Sequence, residues 1–227
     1  MNNTPLRAFA RYASLSTLGM IATSCYILAD TFFVAQGLGT NGLAALNLAI
    51  PVYNVIHGTG LLLGMGGATK FAILKSQGAH RRANTVYTHT LVIAAAAAVV
   101  FVAAGLFGAP VLAALLGAKG EIAGMTATYL RVLLLFSPAF LLNDLFVCFV
   151  RNDGAPSLSM AATVVGSLAN VVMDYIFIFP CGLGIFGAVL ATGFSPVIGI
   201  CIQAPHWAAR RCGFRPQASR PNLRLAG

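Results

Sequence analysis

The chain has 227 residues, of which 58% are hydrophobic and only 8% are charged, and its mean hydropathy is +0.84. Soluble domains carry about 25% charged residues, so this composition excludes an ordinary soluble protein and predicts an integral membrane protein. The formal net charge of +9 is then explained by topology, since membrane proteins keep Lys and Arg on their cytoplasmic side. A nucleic-acid partner is not expected.

Six apolar segments are each long enough to cross a hydrocarbon core, which takes about 20 helical residues. Glycine, proline, asparagine or charged residues separate neighbouring segments, as expected where helices end. The predicted spans are roughly 12–36, 43–69, 86–108, 124–150, 157–180 and 185–206. The first is too long for the apolar region of a secretory leader, and the continuous apolar runs argue against transmembrane strands. We expect an all-α transmembrane unit over residues 1–207.

Basic residues collect at both ends of the chain and in alternate connections between the spans. The outer loops contain essentially Lys119 alone. The segments assigned to the cytoplasm contain Arg7, Arg11, Lys70, Lys75, Arg81, Arg82, Arg151 and the arginines of the tail. This asymmetry predicts that both termini are cytoplasmic. Residues 208–227 are rich in Arg and Pro and show no period, which predicts a disordered basic tail able to lie on anionic lipid.

Two further patterns are assigned to packing. The glycines of "GLLLGMGGATK" lie in a span and lack the GK[ST] ending of a phosphate loop, so they predict close contact between helices. The five cysteines show no CxxC spacing or Cys/His cluster, and the four histidines are scattered. Neither a disulfide framework nor a cysteine metal site is expected.

Three carboxylates lie inside predicted spans: Asp30 in the first, Asp144 in the fourth and Asp174 in the fifth. Carboxylates are costly in lipid, so those found there usually serve an ion or substrate site. With about 1.5 Å of rise per residue, Asp30 and Asp174 each lie roughly 9 Å below the outer end of their span. The two acids are therefore expected at one depth.

Two more polar residues belong to the same level. Asn170 precedes Asp174 by four residues and shares its helix face, and Thr192 lies roughly 10 Å into the sixth span. Together with Asp30 they predict an oxygen-rich cluster of the kind that hard cations such as Na⁺ prefer. Neighbouring carboxylates where water is scarce also favour binding of a proton. Asp144 and Asn47 are secondary polar candidates.

The chain also contains two segments of similar sequence. "DTFFVAQGLGTNGLAALNLAIP", from Asp30 to Pro51, aligns with "DYIFIFPCGLGIFGAVLATGFSP", from Asp174 to Pro196, with one residue inserted. Each has an acid, a helix end, GLGxxG and a second helix broken by proline. The pattern is consistent with an ancestral parallel repeat.

Four stretches, "YILADTFFVAQGLGTNGLAALNLAIPVYN", "GMGGATKFAILKSQG", "CFVRNDGAPSLSM" and "NVVMDYIFIFPCGLGIFGAVLATGFSP", resemble the amino-terminal half of bacterial multidrug and toxic compound extrusion (MATE) transporters. The resemblance covers about residues 5–206. It implies one six-helix lobe of a twelve-helix, multi-pass inner-membrane transporter, and not an enzyme. It also implies an antiporter that exports amphipathic, often cationic compounds in exchange for H⁺ or Na⁺ without a cofactor. The matching cation-binding positions are Asp30, Asn170, Asp174 and Thr192.

Two features depart from the family pattern. Leu15 stands near the place where relatives often carry a proline, so a proline-centred bend of the first helix is in question. Six spans make only one lobe, and one lobe cannot alternate access alone. A partner chain or a second copy of this chain could supply the other lobe, or the other lobe could be lost. The abrupt change of composition after Trp207 favours a truncated or frameshifted product. The functional alternatives are a non-transporting remnant or subunit and a lipid flippase, which would need cavity cations where this lobe offers only Arg131.

Overall fold

The computed structural model describes the backbone of residues 5–208 and 212–215, with the side chains of 13–14, 17–22, 24–207 and 212–215. The side chain of Leu15 and most of the predicted tail lie outside this description. Six helical segments follow one another: α1 (Pro5–Ser76), α2 (His80–Leu115), α3 (Gly120–Leu135), α4 (Ser137–Asn152), α5 (Pro156–Ile178) and α6 (Gly184–Ala208).

The long α1 is a hairpin of two helices. Gly39 interrupts the helical backbone with φ 66° and ψ −158°, a conformation that glycine adopts without steric cost. The hydroxyls of Tyr26 and Tyr53 are hydrogen-bonded to each other, although a continuous helix would separate them by about 40 Å. The chain therefore turns back at Gly39. We name the two arms α1a (5–38) and α1b (40–76); they correspond to the first two predicted spans.

The fourth predicted span is broken. The sequence pattern predicts one helix over 124–150, whereas the structure has α3 and α4 meeting at Phe136 with a bend of 49°. Pro138 lies in the first turn of α4; it has no amide proton, and its ring clashes with the carbonyl group four residues earlier. The helix therefore ends and restarts, and the prediction of one continuous helix is wrong.

The resulting bundle has six membrane-spanning units. Within the described residues, α1, α2, α5 and α6 are each long and apolar enough to cross a membrane, and the bent α3–α4 pair passes the same test. The hairpin at Gly39 makes α1 count twice. Large apolar side chains cover the outside, including Phe107, Leu115 and Leu62, which are 84%, 77% and 75% exposed. Such a surface suits lipid and not water, so the predicted all-α membrane fold is confirmed.

Glycines let α1b approach α4 closely. A Cβ added at Gly60 would lie 2.6 Å from Asp144 Oδ2, and one at Gly64 would lie 3.1 Å from Cys148 Sγ and from the Asp144 carbonyl oxygen. Because these two glycines are four residues apart on one helix face, they form the small-residue contact that the sequence predicts. This contact presses α1b directly against the carboxylate of Asp144.

Part of the predicted tail is packed. Phe214 is buried among Phe71, Tyr87 and Phe149, with ring centroids 6.1, 4.9 and 5.6 Å away. The backbone amide of Gly213 donates to Asp153 Oδ2 at 2.7 Å. Residues 212–215 thus differ from the expectation of disorder, because an aromatic side chain has an apolar pocket to fill. The rest of the tail beyond residue 208 lies outside the description.

Candidate functional site

Three of the four predicted cation-site residues are joined by hydrogen bonds between α5 and α6. Asn170 and Asp174 lie on one face of α5 and are fully buried, and Thr192 on α6 is 5% exposed. In the amide orientation that satisfies both neighbours, Asn170 Nδ2 donates to Asp174 Oδ2 at 3.1 Å. The amide Oδ1 then accepts from the backbone nitrogen of Thr192, also at 3.1 Å. Asn170 therefore holds the carboxylate of Asp174 against α6.

The local sequence of α6 explains why polar atoms are available at this place. Pro196 lies four residues after Thr192 inside the helix and has no amide proton to donate to the Thr192 carbonyl group. That carbonyl therefore lacks its helical partner. The Thr192 hydroxyl donates to the Ala188 carbonyl at 3.1 Å, so its oxygen can act as an acceptor for a neighbouring group.

Asp30 completes the cluster from α1a. Its carboxylate is 7% exposed and borders a small cavity of about 80 Å³ together with Thr192 and Tyr129. Asp30 and Asp174 are close enough for their charges to interact. Each has an Oδ1 atom without a hydrogen-bond partner among the described residues. The structure thus brings all four predicted residues together, with unpaired carboxylate oxygens and room for a small cation or a few water molecules.

Three tyrosines were missed by sequence reasoning. Tyr26 precedes Asp30 by four residues and shares its face of α1a, Tyr53 approaches it from α1b, and Tyr129 comes from α3; all three line the small cavity. The i, i+4 spacing of Tyr26 and Asp30 was the signal that could have found the first. The other two depend on the hairpin at Gly39 and on helix packing, which no local pattern indicates.

A larger cavity of about 600 Å³ adjoins the small one. It lies between α1, α4, α5 and α6, and Tyr26, Tyr53 and Thr192 line both cavities. The hydrogen-bonded tyrosine pair therefore stands between the carboxylate cluster and the larger space. The volume of the larger cavity falls in the range of roughly 300–1,000 Å³ that is typical of sites for drug-sized ligands.

The two secondary candidates have different surroundings. Asp144 is buried in the wall of the large cavity, and His57 Nδ1 lies 2.8 Å from its Oδ2 in an ion-pair contact. His57, to which the sequence assigns no role, is therefore the neighbour of an intramembrane acid. Asn47 is exposed on α1b and borders neither cavity. The structure does not bring it to the cluster.

A second polar cluster lies where α4 ends. Lys75 Nζ lies 2.5 Å from Asp153 Oδ1, and His206 Nε2 lies 3.1 Å from Asp153 Oδ2. Asp153, His206 and Cys212 have potential ligand atoms within 4.8 Å of one another, a grouping that the sequence spacing does not predict. The ammonium group of Lys75 opposes a cation there, and burial raises the pKa of the Cys212 thiol and keeps it protonated. This cluster joins α1b, α4, α6 and the following segment.

The comparison with family models decides the classification. The MatE family model matches residues 16–176, which include Asp30, Asn170 and Asp174. The chain belongs to the MatE family. It is 29% identical over 181 residues to the multidrug export protein MepA of Staphylococcus saprophyticus, an alignment that covers 80% of this chain and 40% of MepA.

Solved MatE structures show the same fold. A crystal structure of a MATE protein in complex with MaL6 matches with a TM-score of 0.88 and 29% identity, over 96% of this chain and 49% of that one. An outward-facing conformation of a multidrug resistance MATE transporter of the MOP superfamily matches with a TM-score of 0.83 and 29% identity, over the same shares of the two chains. The chain thus spans about half the length of the relatives it matches and has the fold of one MatE lobe. The predicted family and membrane architecture are confirmed.

Proposed function

We propose that this chain is the amino-terminal lobe of a cation-coupled multidrug antiporter, and that Asp30, Asn170, Asp174 and Thr192 form its coupling site. The antiporter exports amphipathic, often cationic compounds in exchange for H⁺ or Na⁺. The observation that carries the proposal is a buried pair of carboxylates with unpaired oxygens, of which Asp30 borders a small cavity that adjoins one of ligand size. Family membership and similarity to multidrug export proteins support the same function.

Electrostatics gives the cluster its coupling role. Two carboxylates removed from water and close to each other are unfavourable when both are charged. Binding of a proton or of Na⁺ neutralises part of that charge, so the occupied and empty forms of the lobe differ in stability. Asn170 fixes Asp174 on α5, whereas Asp30 lies on α1a, the arm that turns back at Gly39. Cation binding therefore pulls α1a toward α5.

Movement of α1a changes both cavities. Tyr26, one turn before Asp30, lines the small and the large cavity, and its hydroxyl is bonded to Tyr53. When α1a follows the cation, this shared wall moves with it and changes the space available to the exported compound. Substrate and cation then exclude each other, which is the requirement for antiport.

We further propose that both termini of the lobe lie in the cytoplasm, which the distribution of Lys and Arg supports. In this proposal a second lobe supplies the other side of the transport path. The test uses the chain joined to a competent second lobe in proteoliposomes, with drug-driven H⁺ or Na⁺ exchange as the measurement. We expect Asp30→Asn to abolish the exchange.

A matched control is available in Glu121, an exposed acid that accepts a hydrogen bond from Asn41 at 3.1 Å far from both cavities. Glu121→Gln makes the same chemical change and keeps the acceptor, so exchange is expected to continue. Exchange that persists in Asp30→Asn would contradict the coupling site.

A second candidate function is a membrane subunit that does not transport by itself. The chain covers 40% of MepA and about half of the MATE structures, and one lobe cannot alternate access alone. Vesicles that contain only this chain would then show no efflux. The flippase alternative gains nothing from Arg131, which is exposed and does not line either cavity, whereas Arg151 does line the large cavity.

A further inference from the structure

The large cavity has a charged end that the coupling site does not use. Among its described lining residues, Asp144 is the one carboxylate, and it is buried in the wall. Asp144 does not border the small cavity, and the bonded Tyr26–Tyr53 pair lies between the two spaces. An intramembrane acid facing a ligand-sized cavity is costly unless a cation approaches it.

The partner beside Asp144 belongs to the protein itself. His57 Nδ1 lies 2.8 Å from Asp144 Oδ2, and the side chain of His57 is 29% exposed while that of Asp144 is 7% exposed. The imidazole ring thus covers the acid on the side of the cavity. The contact is made by side-chain atoms alone, so His57 is a removable partner of the acid and not a fixed one.

Aromatic rings surround this pair. The ring of His57 lies 4.7 Å from that of Tyr53 and 5.6 Å from that of Phe140, centroid to centroid, and the latter two are 5.7 Å apart. A carboxylate beside aromatic faces is the combination that attracts weakly hydrated organic cations. Leu61, Met65 and Met160 line the same cavity, and methionine adapts to apolar bodies of different shape.

We propose that Asp144 anchors the cationic group of the exported compound, and that His57 occupies this anchor until the compound displaces it. The proposal rests on the substrate class given above for the antiporter, and it assigns that class a subsite. The apolar part of the ligand then lies along the methionine side of the cavity. Arg151 also lines the cavity, but it follows Asp144 by seven residues on α4, about 10 Å along the axis. The cationic group therefore turns away from Arg151 and toward Asp144.

The test measures binding to the full chain in lipid nanodiscs. The probe is tetraphenylphosphonium, a rigid organic cation, and the reference is tetraphenylborate, an anion of nearly the same shape. Binding to empty nanodiscs is subtracted. We expect saturable binding of the cation and weaker binding of the anion. Asp144→Asn is expected to weaken cation binding by about tenfold, because one unit charge near the ligand is lost in a site of low polarity.

His57→Gln is expected to have the opposite effect on cation binding, so it distinguishes loss of the anchor from misfolding. Removing the internal partner of Asp144 should tighten binding of tetraphenylphosphonium, and a misfolded protein does not bind its ligand more tightly. A purely structural role for the pair predicts that both variants weaken binding. Three results would overturn the proposal: no saturable cation binding by the unmodified chain, unchanged binding in Asp144→Asn, or weaker binding in His57→Gln.

This binding measurement is separate from the exchange assay with Asp30→Asn. If tetraphenylphosphonium binds equally well to Asp144→Asn and to the unmodified chain, the anchor is refuted and the coupling site is unaffected. If Asp30→Asn leaves exchange unchanged while Asp144→Asn weakens cation binding, the coupling site is refuted and the anchor is supported.

Discussion

The contact between α1b and α4 gives the sharpest test of the packing that builds the cavity wall. Gly60→Ala adds one methyl group that would lie 2.6 Å from Asp144 Oδ2 and 3.0 Å from Asp144 Cβ. The Cβ atom is fixed to the backbone of α4, so rotation of a side chain cannot make room. The helices must move apart, or Asp144 must leave its place beside His57.

The change in unfolding free energy on Gly60→Ala is the sum of two opposing effects. Overpacking of this kind destabilises by about 1–3 kcal/mol, and replacing glycine by alanine inside a helix stabilises by up to about 1 kcal/mol. Gly66 lies on the same helix, and a Cβ there meets no atom within 4 Å. Gly66→Ala is therefore stabilised by the higher helix propensity of alanine and is not overpacked. The two variants should differ in unfolding free energy by about 1–3 kcal/mol.

Unfolding of the purified chain in mixed micelles can be followed by far-UV circular dichroism as the detergent sodium dodecyl sulfate is increased. The chain has a single tryptophan, Trp207, whose ring lies 5.5 Å from that of Phe146 on α4. Its fluorescence reports separation of α6 from α4 in the same samples. We expect Gly60→Ala to unfold at lower denaturant than the unmodified chain, and Gly66→Ala at the same or higher denaturant. Equal midpoints for the two variants would refute the close contact.

Two further predictions concern the segment after α6. Phe214→Ala should lower the thermal midpoint in detergent, at a cost of about 3 kcal/mol for a buried aromatic ring, because Phe214 is 1% exposed; an unchanged midpoint would mean that the segment does not dock. The thiol of Cys212 should react with iodoacetamide more slowly than exposed Cys181, measured by mass spectrometry. Burial raises the pKa of Cys212, so less thiolate is present at a given pH, and the rate should keep rising above the ordinary thiol range near pH 8.5. Equal rates at all pH values would contradict this.

The apolar helices could be predicted because they depend on local composition, and the depth assigned to the acids follows from a constant rise per residue. The same arithmetic placed Asp30, Asp174 and Thr192 at one level, and the structure brings them together. The break at Phe136 was missed although Pro138 was visible, because a long apolar run hides an interior proline when hydropathy alone sets the span.

His57 could not be assigned from sequence for a different reason. It lies on α1b and its partner Asp144 on α4, and the distance between these helices is set by Gly60 and Gly64. A glycine pair predicts that some helix comes close, but it does not name which helix. Tertiary pairing of polar residues therefore stays beyond local patterns, whereas pairing within one helix, as for Asn170 and Asp174, does not.

One structural element connects the two sites. The arm α1a carries Asp30 in the small cavity and Tyr26 in the wall common to both cavities, and Gly39, whose backbone is not helical, separates it from α1b. Asp144, by contrast, is held on α4 by close packing with α1b. In the proposed mechanism, a coupling cation at Asp30 would act on α1a, while an organic cation at Asp144 would act on the packed α1b–α4 pair. The two ligands would then compete through the position of the Tyr26–Tyr53 pair and not for one carboxylate, so replacing either carboxylate should change one affinity directly and the other only through this wall.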